Sequence, residues 1–141
     1  MKKYRVGYTQ GTFDLFHVGH LNIINNAKKQ CDYLIVGVNS DRLVKEYKNK
    51  QTNINENDRA KIVKSIKGVK KVIITETLDK LRIHDIIPFE AIFIGDDWKG
   101  NSRWEKTKND LANIGVDVIF LPHTDGISTT DLTNKIRKRG K

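Results

Sequence analysis

The stretch Gly11-Thr12-Phe13-Asp14-Leu15-Phe16-His17-Val18-Gly19-His20 stands between a short β-prone run, Val6-Gly7-Tyr8-Thr9, and Leu21, Ile24 and Ala27, which recur at helical spacing up to Gln30. Apolar residues at that spacing define one face of a helix, so the decamer reads as a turn joining a first strand to a first helix. Gly19 lets the backbone pass close to a bulky anion. His17 and His20, beside a helix N-terminus, put two ring donors where the helix dipole favours negative charge. In phosphoryl or nucleotidyl transfer, charge builds on the oxygens of the phosphorus under attack, and donors fixed there stabilise the transition state more than the ground state. No nucleophilic side chain is needed when the acceptor brings its own phosphate oxygen. A histidine pair also suits zinc, but zinc wants a third ligand at matching spacing, and His84 and His123 show no such pattern.

Working outward, the same alternation repeats. Tyr33 to Val38 is a continuous apolar run of strand length, the mark of a strand buried on both faces of a parallel sheet. Asp41 to Asp58 is polar and rich in lysine and asparagine; it reads as a partial helix, with Leu43, Val44 and Tyr47 on one side, followed by a mobile loop. A helix from Arg59 to Ile66 has Gly68 where a C-terminal cap belongs. Val69–Ile74 is a third strand, Leu78–Ile87 a helix stopped by Pro88, and Ala91–Ile94 a fourth strand ending in Gly95-Asp96-Asp97. Ser102 caps a helix through Asn113, closed by Gly115. Val116–Leu121 is a fifth strand, and Ser128 or Thr129 caps a last helix carrying Leu132 and Ile136.

Strand-helix alternation through five strands predicts a Rossmann-like, doubly wound α/β fold: a five-stranded parallel sheet with helices on both faces and right-handed crossovers. Its length of 141 residues fits one domain spanning residues 1–141. Such folds bind ligands at the carboxyl ends of their strands. The chemically interesting residues fall in four segments just after strands: Gly11–His20, Asp41–Arg59, Gly95–Trp98 and His123–Thr129.

Composition narrows the classes. Hydrophobic residues at 38% and charged residues at 30% describe a globular chain, not a disordered one. No apolar run reaches the roughly 20 residues of a membrane span, and MKKYRVGYTQ has no apolar stretch behind its lysines to act as a signal peptide. Lone Cys31 excludes an internal disulfide and a cysteine-rich metal site, and a reducing cytoplasm is expected. The formal charge of +9 favours polyanionic partners: nucleic acid, anionic membrane or a nucleotide's phosphates. Part of that charge sits in the C-terminal KIRKRGK, which also reads as a solvated end.

GTFDLFHVGH resembles the signature of the cytidylyltransferase family within the HIGH-type nucleotidyltransferases. Gly95-Asp96-Asp97-Trp98 resembles the block after the fourth strand in the bacterial glycerol-3-phosphate branch, and Thr124-Asp125-Gly126-Ile127-Ser128-Thr129-Thr130 resembles an R-T-x-G-I-S-T segment before the last helix. The motifs occur in order from about Val6 to Ile136. The resemblance implies that His17 and His20 hold the nucleotide phosphates and the transition state, and that Lys48 bridges the phosphates of the two substrates, with Lys50 a second candidate. It implies that Gly11, Thr12, Phe13, Asp14 and Gly19 shape the phosphate pocket and that Arg59 meets substrate phosphate. Asp96, His123, Thr124, Gly126, Ile127, Ser128 and Thr129 fall on the CTP side. Asp96 and Asp97 also read as turn residues or magnesium-facing carboxylates, and Trp98 as packing.

One departure stands out. His123 occupies the position where the family usually has arginine, so a neutral or partly charged single donor replaces a permanent bidentate fork; Arg103 and Arg137 are candidates to supply the missing charge. The implied reaction is attack of a small phosphorylated alcohol on the α-phosphorus of CTP, giving a CDP-alcohol and pyrophosphate. Glycerol 3-phosphate is the first choice of acceptor, with glycerol 2-phosphate, choline phosphate and ethanolamine phosphate open. Mg²⁺ is expected on the CTP phosphates, with no dedicated protein site. A cytoplasmic homodimer is expected, without nucleic-acid or membrane partners. Against this stand an adenylyltransferase using ATP, a fold that binds nucleotide without catalysis, and a basic nucleic-acid-binding module.

Overall fold

The computed structural model describes residues 2–139. Gly140 and Lys141 of the basic C-terminal stretch lie outside the described residues. In chain order the elements are β1 (Tyr4–Gly11), α1 (Val18–Lys28), β2 (Cys31–Asn39), α2 (Asp41–Lys48), α3 (Glu56–Lys64), β3 (Val69–Thr75), α4 (Lys80–Ile86), β4 (Ala91–Gly95), a 3₁₀ turn at Asp96–Trp98, α5 (Ser102–Ala112), β5 (Asp117–Leu121) and α6 (Thr129–Arg139). The five strands form one sheet in the order β3-β2-β1-β4-β5, with every pair parallel. The expected doubly wound architecture is therefore present. The order reverses between β1 and β4, which opens a crevice at their carboxyl ends.

The apolar strands are buried on both faces because successive side chains point to opposite sides. Leu34, Val36 and Val38 of β2 pack with Ile24 and Ala27 of α1 and Val63 of α3. Ile35, between them, points the other way and joins Tyr8 and Ile92 under Ile83 of α4 and Leu111 of α5. Tyr8 stacks on Phe89 with ring centres 5.0 Å apart. Its hydroxyl explains the glycine inside the apolar run of β2, since a Cβ on Gly37 would lie 2.0 Å from that oxygen.

Element boundaries differ from expectation where polar caps decide them. The third helix begins at Glu56 instead of Arg59, because the Asn55 side chain accepts from the Asp58 amide. Asn101, not Ser102, caps α5, accepting from the amides of Arg103 and Trp104. Asp79 caps α4, which spans Lys80–Ile86, shorter than the expected Leu78–Ile87. Ser128 caps α6 through the Asp131 amide.

Candidate active site

A cavity of about 1150 Å³ occupies the crevice where the strand order reverses. Its walls come from the end of β1, the start of α1, the end of α2 with the loop behind it, the end of β4, and the segment from His123 into α6.

The decamer after β1 forms a strained turn. Phe13 and Leu15 adopt φ of 55° and 47°, a region that side chains with a Cβ rarely enter. Buried Asp14 holds the turn: its carboxylate accepts from the Asn53 amide at 2.9 Å, the Asn53 side chain at 3.0 Å and the Ile54 amide at 2.9 Å. Asp14 lines the cavity, yet its hydrogen bonds lock the phosphate turn to the loop after α2.

His17 and His20 then form a stacked pair with ring centres 3.8 Å apart. His17 Nδ1 accepts from the Gly19 amide at 3.1 Å, and His20 Nδ1 accepts from the His17 amide at 3.2 Å, a reciprocal cap of α1. A ring nitrogen accepting from an amide carries no proton, so the network assigns the proton to Nε2 on both rings. Burial lowers the pKa of His17. Burial, aided by His17, lowers that of His20 to about 3. Both are neutral Nε2–H donors at pH 7, already oriented. The Gly19 position is explained by this pair: a Cβ there would lie 2.8 Å from Cε1 of His17, so the glycine makes room for the imidazole itself.

Lys48 and Lys50 both line the cavity. Lys48 ends α2, its Nζ 5.4 Å from the Tyr47 ring centre, and its charge acts on His20. The Tyr47 hydroxyl meets Thr12 Oγ1 at 3.3 Å and accepts from Asn39 at 3.2 Å, which ties this helix end to the phosphate turn. The following segment is wired in place and does not form the free loop expected. Asp14 takes residues 53 and 54, and Asp41 accepts from Thr52 Oγ1 at 2.7 Å and the Glu56 amide at 3.3 Å.

Arg59 corrects the sequence expectation most clearly. It is fully buried, lies outside the cavity wall, and donates to the carbonyls of Ile54, Thr12 and Asn39 and to Asp41 at 2.5–2.8 Å. Burial pushes the Asp41 carboxyl up, but hydrogen bonds from Thr52 and Arg59 outweigh this and hold it below the usual range. With its donors committed to the protein, Arg59 organises the phosphate turn and the loop from behind; it is not placed to grip a substrate phosphate.

After β5, Gly126, Ile127, Ser128 and Thr129 line the cavity with His123 and Thr124. Thr129 Oγ1 donates to the Asp14 carbonyl at 2.7 Å, and Asn22 donates to Thr124 Oγ1 at 2.9 Å, joining this loop to the phosphate turn and to α1. His123 sits between two carboxylates: its Nδ1 meets Asp96, and its Nε2 lies 2.9 Å from Asp125. The hydrogen bond and charge of Asp96, with the charge of Asp125, raise its pKa, and the same bond holds Asp96 below the usual carboxylate range. His123 therefore carries positive charge to a higher pH than an isolated histidine. Asp96 does not line the cavity; Asp97 and Trp98 do, and Asp96 acts through His123. Arg103 and Arg137 both line the cavity as well.

Gln10, Asn39, Lys80, Trp104 and Thr107 also line the wall, and no motif in the sequence marks them. The same strand-end rule would have found Lys80, which follows β3, a strand end that carries no recognisable motif. Among the described residues no group of three His, Cys, Asp or Glu side chains is placed to hold a metal ion, and no helix is long and apolar enough to cross a membrane.

Residues 8–135 match the family model described as cytidylyltransferase-like. The chain is 40% identical over 128 residues to the glycerol-3-phosphate cytidylyltransferase of Bacillus spizizenii, covering 88% of this chain and 91% of that protein. It is 34% identical over 130 residues to the Bacillus subtilis protein of the same name, covering 91% and 94%. The bifunctional protein HldE of Nitratiruptor is 34% identical over 134 residues, 94% of this chain and 28% of that protein. Among solved structures, a lipopolysaccharide core biosynthesis protein from Thermoplasma volcanium superposes with a TM-score of 0.75 at 22% identity, covering 86% of this chain and 99% of that one; it shows the shared fold.

Proposed function

The chain belongs to the cytidylyltransferase-like family, and from that premise we propose that it transfers the cytidylyl group of CTP to glycerol 3-phosphate, releasing pyrophosphate and CDP-glycerol. The observation that carries this at the site is the stacked, neutral His17–His20 pair, tied through both Nδ1 atoms and lining the crevice at the strand crossover. The acceptor's phosphate oxygen attacks the α-phosphorus in line, and the bond to pyrophosphate breaks. Negative charge grows on the α-phosphoryl oxygens as this happens. The two Nε2–H groups meet that charge without reorganising, which is where a fixed donor lowers a barrier most. Neutral donors also avoid holding the resting triphosphate too tightly, so their gain falls on the transition state.

Lys48 ends, and Lys50 follows, a helix pinned through Tyr47 and Asn39, which supports a role as point charges over the phosphates of both substrates. The loop from Thr124 to Thr129 and the start of α6 support triphosphate binding through backbone amides at a helix N-terminus. The donor set suits a Mg²⁺ ion carried on the triphosphate's own oxygens, with Asp97 among the carboxylates on the wall. Such an ion would neutralise the leaving pyrophosphate. Dimeric assembly and a cytoplasmic setting belong to the same proposal.

A pyrophosphate-release assay decides the reading. CTP with glycerol 3-phosphate is expected to turn over, and ATP is not expected to replace CTP. Turnover with ATP alone would overturn the base assignment. Tight, salt-sensitive binding of DNA or RNA without turnover would instead mark a nucleic-acid-binding module.

A further inference from the structure

The last helix, α6, is docked by polar contacts. None of its residues is buried and Ile136 is 59% exposed, so apolar packing does not decide which face turns inward. Thr129 Oγ1 donates to the Asp14 carbonyl at 2.7 Å, Asn53 Nδ2 donates to Thr133 Oγ1 at 3.1 Å, and Lys50 Nζ donates to Thr130 Oγ1 at 3.4 Å. Thr130, Thr133, Asn134 and Arg137 line the cavity. Spaced by three and four residues, they share one face of the helix. Cations near a helix C-terminus also answer its dipole, but Lys138 and Arg139 do that off the cavity wall, and Arg137 is on it. Among the described residues no carboxylate pairs with Arg137.

This side of the cavity is short of positive charge. Asp97, Asp125 and Asp131 all line it. His123 has both ring nitrogens on carboxylates, so it offers charge but no free N–H. A triphosphate laid against these groups meets anions unless another cation faces it. Two arginines line the cavity. The charge of Arg103 acts on Lys80 at the start of α4, which follows the far edge strand β3. Arg137 instead shares its helix face with the threonines bonded to Lys50 and Asn53. Helical side chains tilt towards the helix N-terminus, which brings a guanidinium two turns along back over that face.

Resting on the cytidylyl-transfer reading above, we propose that Arg137 supplies the permanent cation that the loop after β5 lacks, and grips from the face of α6 the β- and γ-phosphates of CTP that leave as pyrophosphate. Its planar fork can take two phosphate oxygens at once. The threonine contacts to Lys50 and Asn53 hold the helix in register for this, while the α-phosphate stays with His17 and His20.

Isothermal titration calorimetry with CTP, pyrophosphate and CMP, in the presence of Mg²⁺, tests the assignment. Arg137→Met is expected to weaken CTP and pyrophosphate about tenfold or more, the scale of a hydrogen bond to a charged group. CMP, which has only the phosphate placed at the histidines, is expected to change little and so reports that the site is intact. Arg137→Lys recovers part of the loss, since it restores the charge without the fork. Lys138→Met removes a charge from the same turn of α6, off the cavity wall, and is expected to bind all three ligands like the wild type. Equal weakening of CTP and CMP in Arg137→Met means a structural role for the helix end and overturns the proposal. So does unchanged CTP binding, or an equal loss in Lys138→Met, which makes the effect one of net charge. A wild-type protein that neither binds CTP nor releases pyrophosphate from it with glycerol 3-phosphate overturns the functional reading, and this inference with it.

Discussion

Two histidine sites line the crevice, and their surroundings drive them in opposite directions. His17 and His20 are stacked and partly buried, and both accept amide hydrogen bonds, so burial lowers their pKa values. His123 lies between Asp96 and Asp125, and its pKa is raised. The first pair serves as fixed neutral donors and the third as a conditional cation. Residue type therefore says little about charge state at this site; the acceptor or carboxylate at each ring nitrogen decides it.

The largest test of that contrast removes a donor from the neutral pair. His20→Ala is expected to reduce kcat by about 10²–10³-fold, as for loss of one oxyanion donor, with the KM for CTP changing much less. Equal losses at pH 6 and pH 8 would support a neutral donor. A loss confined to low pH would show that the charged form does the chemistry.

Arg59→Met tests the scaffold behind the pair. Removing a buried guanidinium that holds three carbonyls and Asp41 is expected to cost about 3 kcal/mol of stability, measured by urea denaturation. An arginine that instead gripped substrate would lower activity with the midpoint unmoved. Lys48→Ala, exposed at the end of α2, should leave stability within about 0.5 kcal/mol while raising the KM for at least one phosphorylated substrate.

The two sites also predict opposite pH dependences. The folded pKa of His20, about 3, lies below its unfolded value near 6.5. Its contribution to stability is thus present above pH 6.5 and lost as pH falls from there towards 3. His20→Gln should lose less stability than wild type between pH 7 and pH 4.5 in thermal melts. His123 has the reverse sign: its folded pKa is raised, so its cation persists above pH 6.5 and disappears as pH rises through the folded value. CTP binding is expected to weaken a few-fold over that rise, and His123→Arg to flatten the change. A proton NMR titration placing all three imidazoles at one pKa would remove the comparison altogether.

Much of the protein was legible in the chain itself. Period-two burial makes β2 an unbroken apolar run, and glycines and caps punctuate the strand-helix alternation, so the sheet and the strand ends bearing His17, His20, Lys48 and the Thr124–Thr129 loop follow from local pattern. A lone arginine near a helix start looks the same in sequence whether its guanidinium faces substrate or carbonyls; only the packing of β2, α2 and the turn after β1 shows that Arg59 is enclosed. The resemblance puts Asp96 on the CTP side of the pocket, and the 3₁₀ turn decides that Asp97 lines the wall while Asp96 meets His123.

Sequence alone determined the sheet, the histidine motif after its first strand and the family to which the chain belongs, because strand period, helix caps and short motifs are local properties. Tertiary structure decided which histidines are neutral and which is charged, that Arg59 is scaffolding, and that Lys80 and Arg103 share one wall. Burial and long-range partners set charge and access, and residues such as Arg59 and Thr12, 47 positions apart in the chain, meet only in the folded protein.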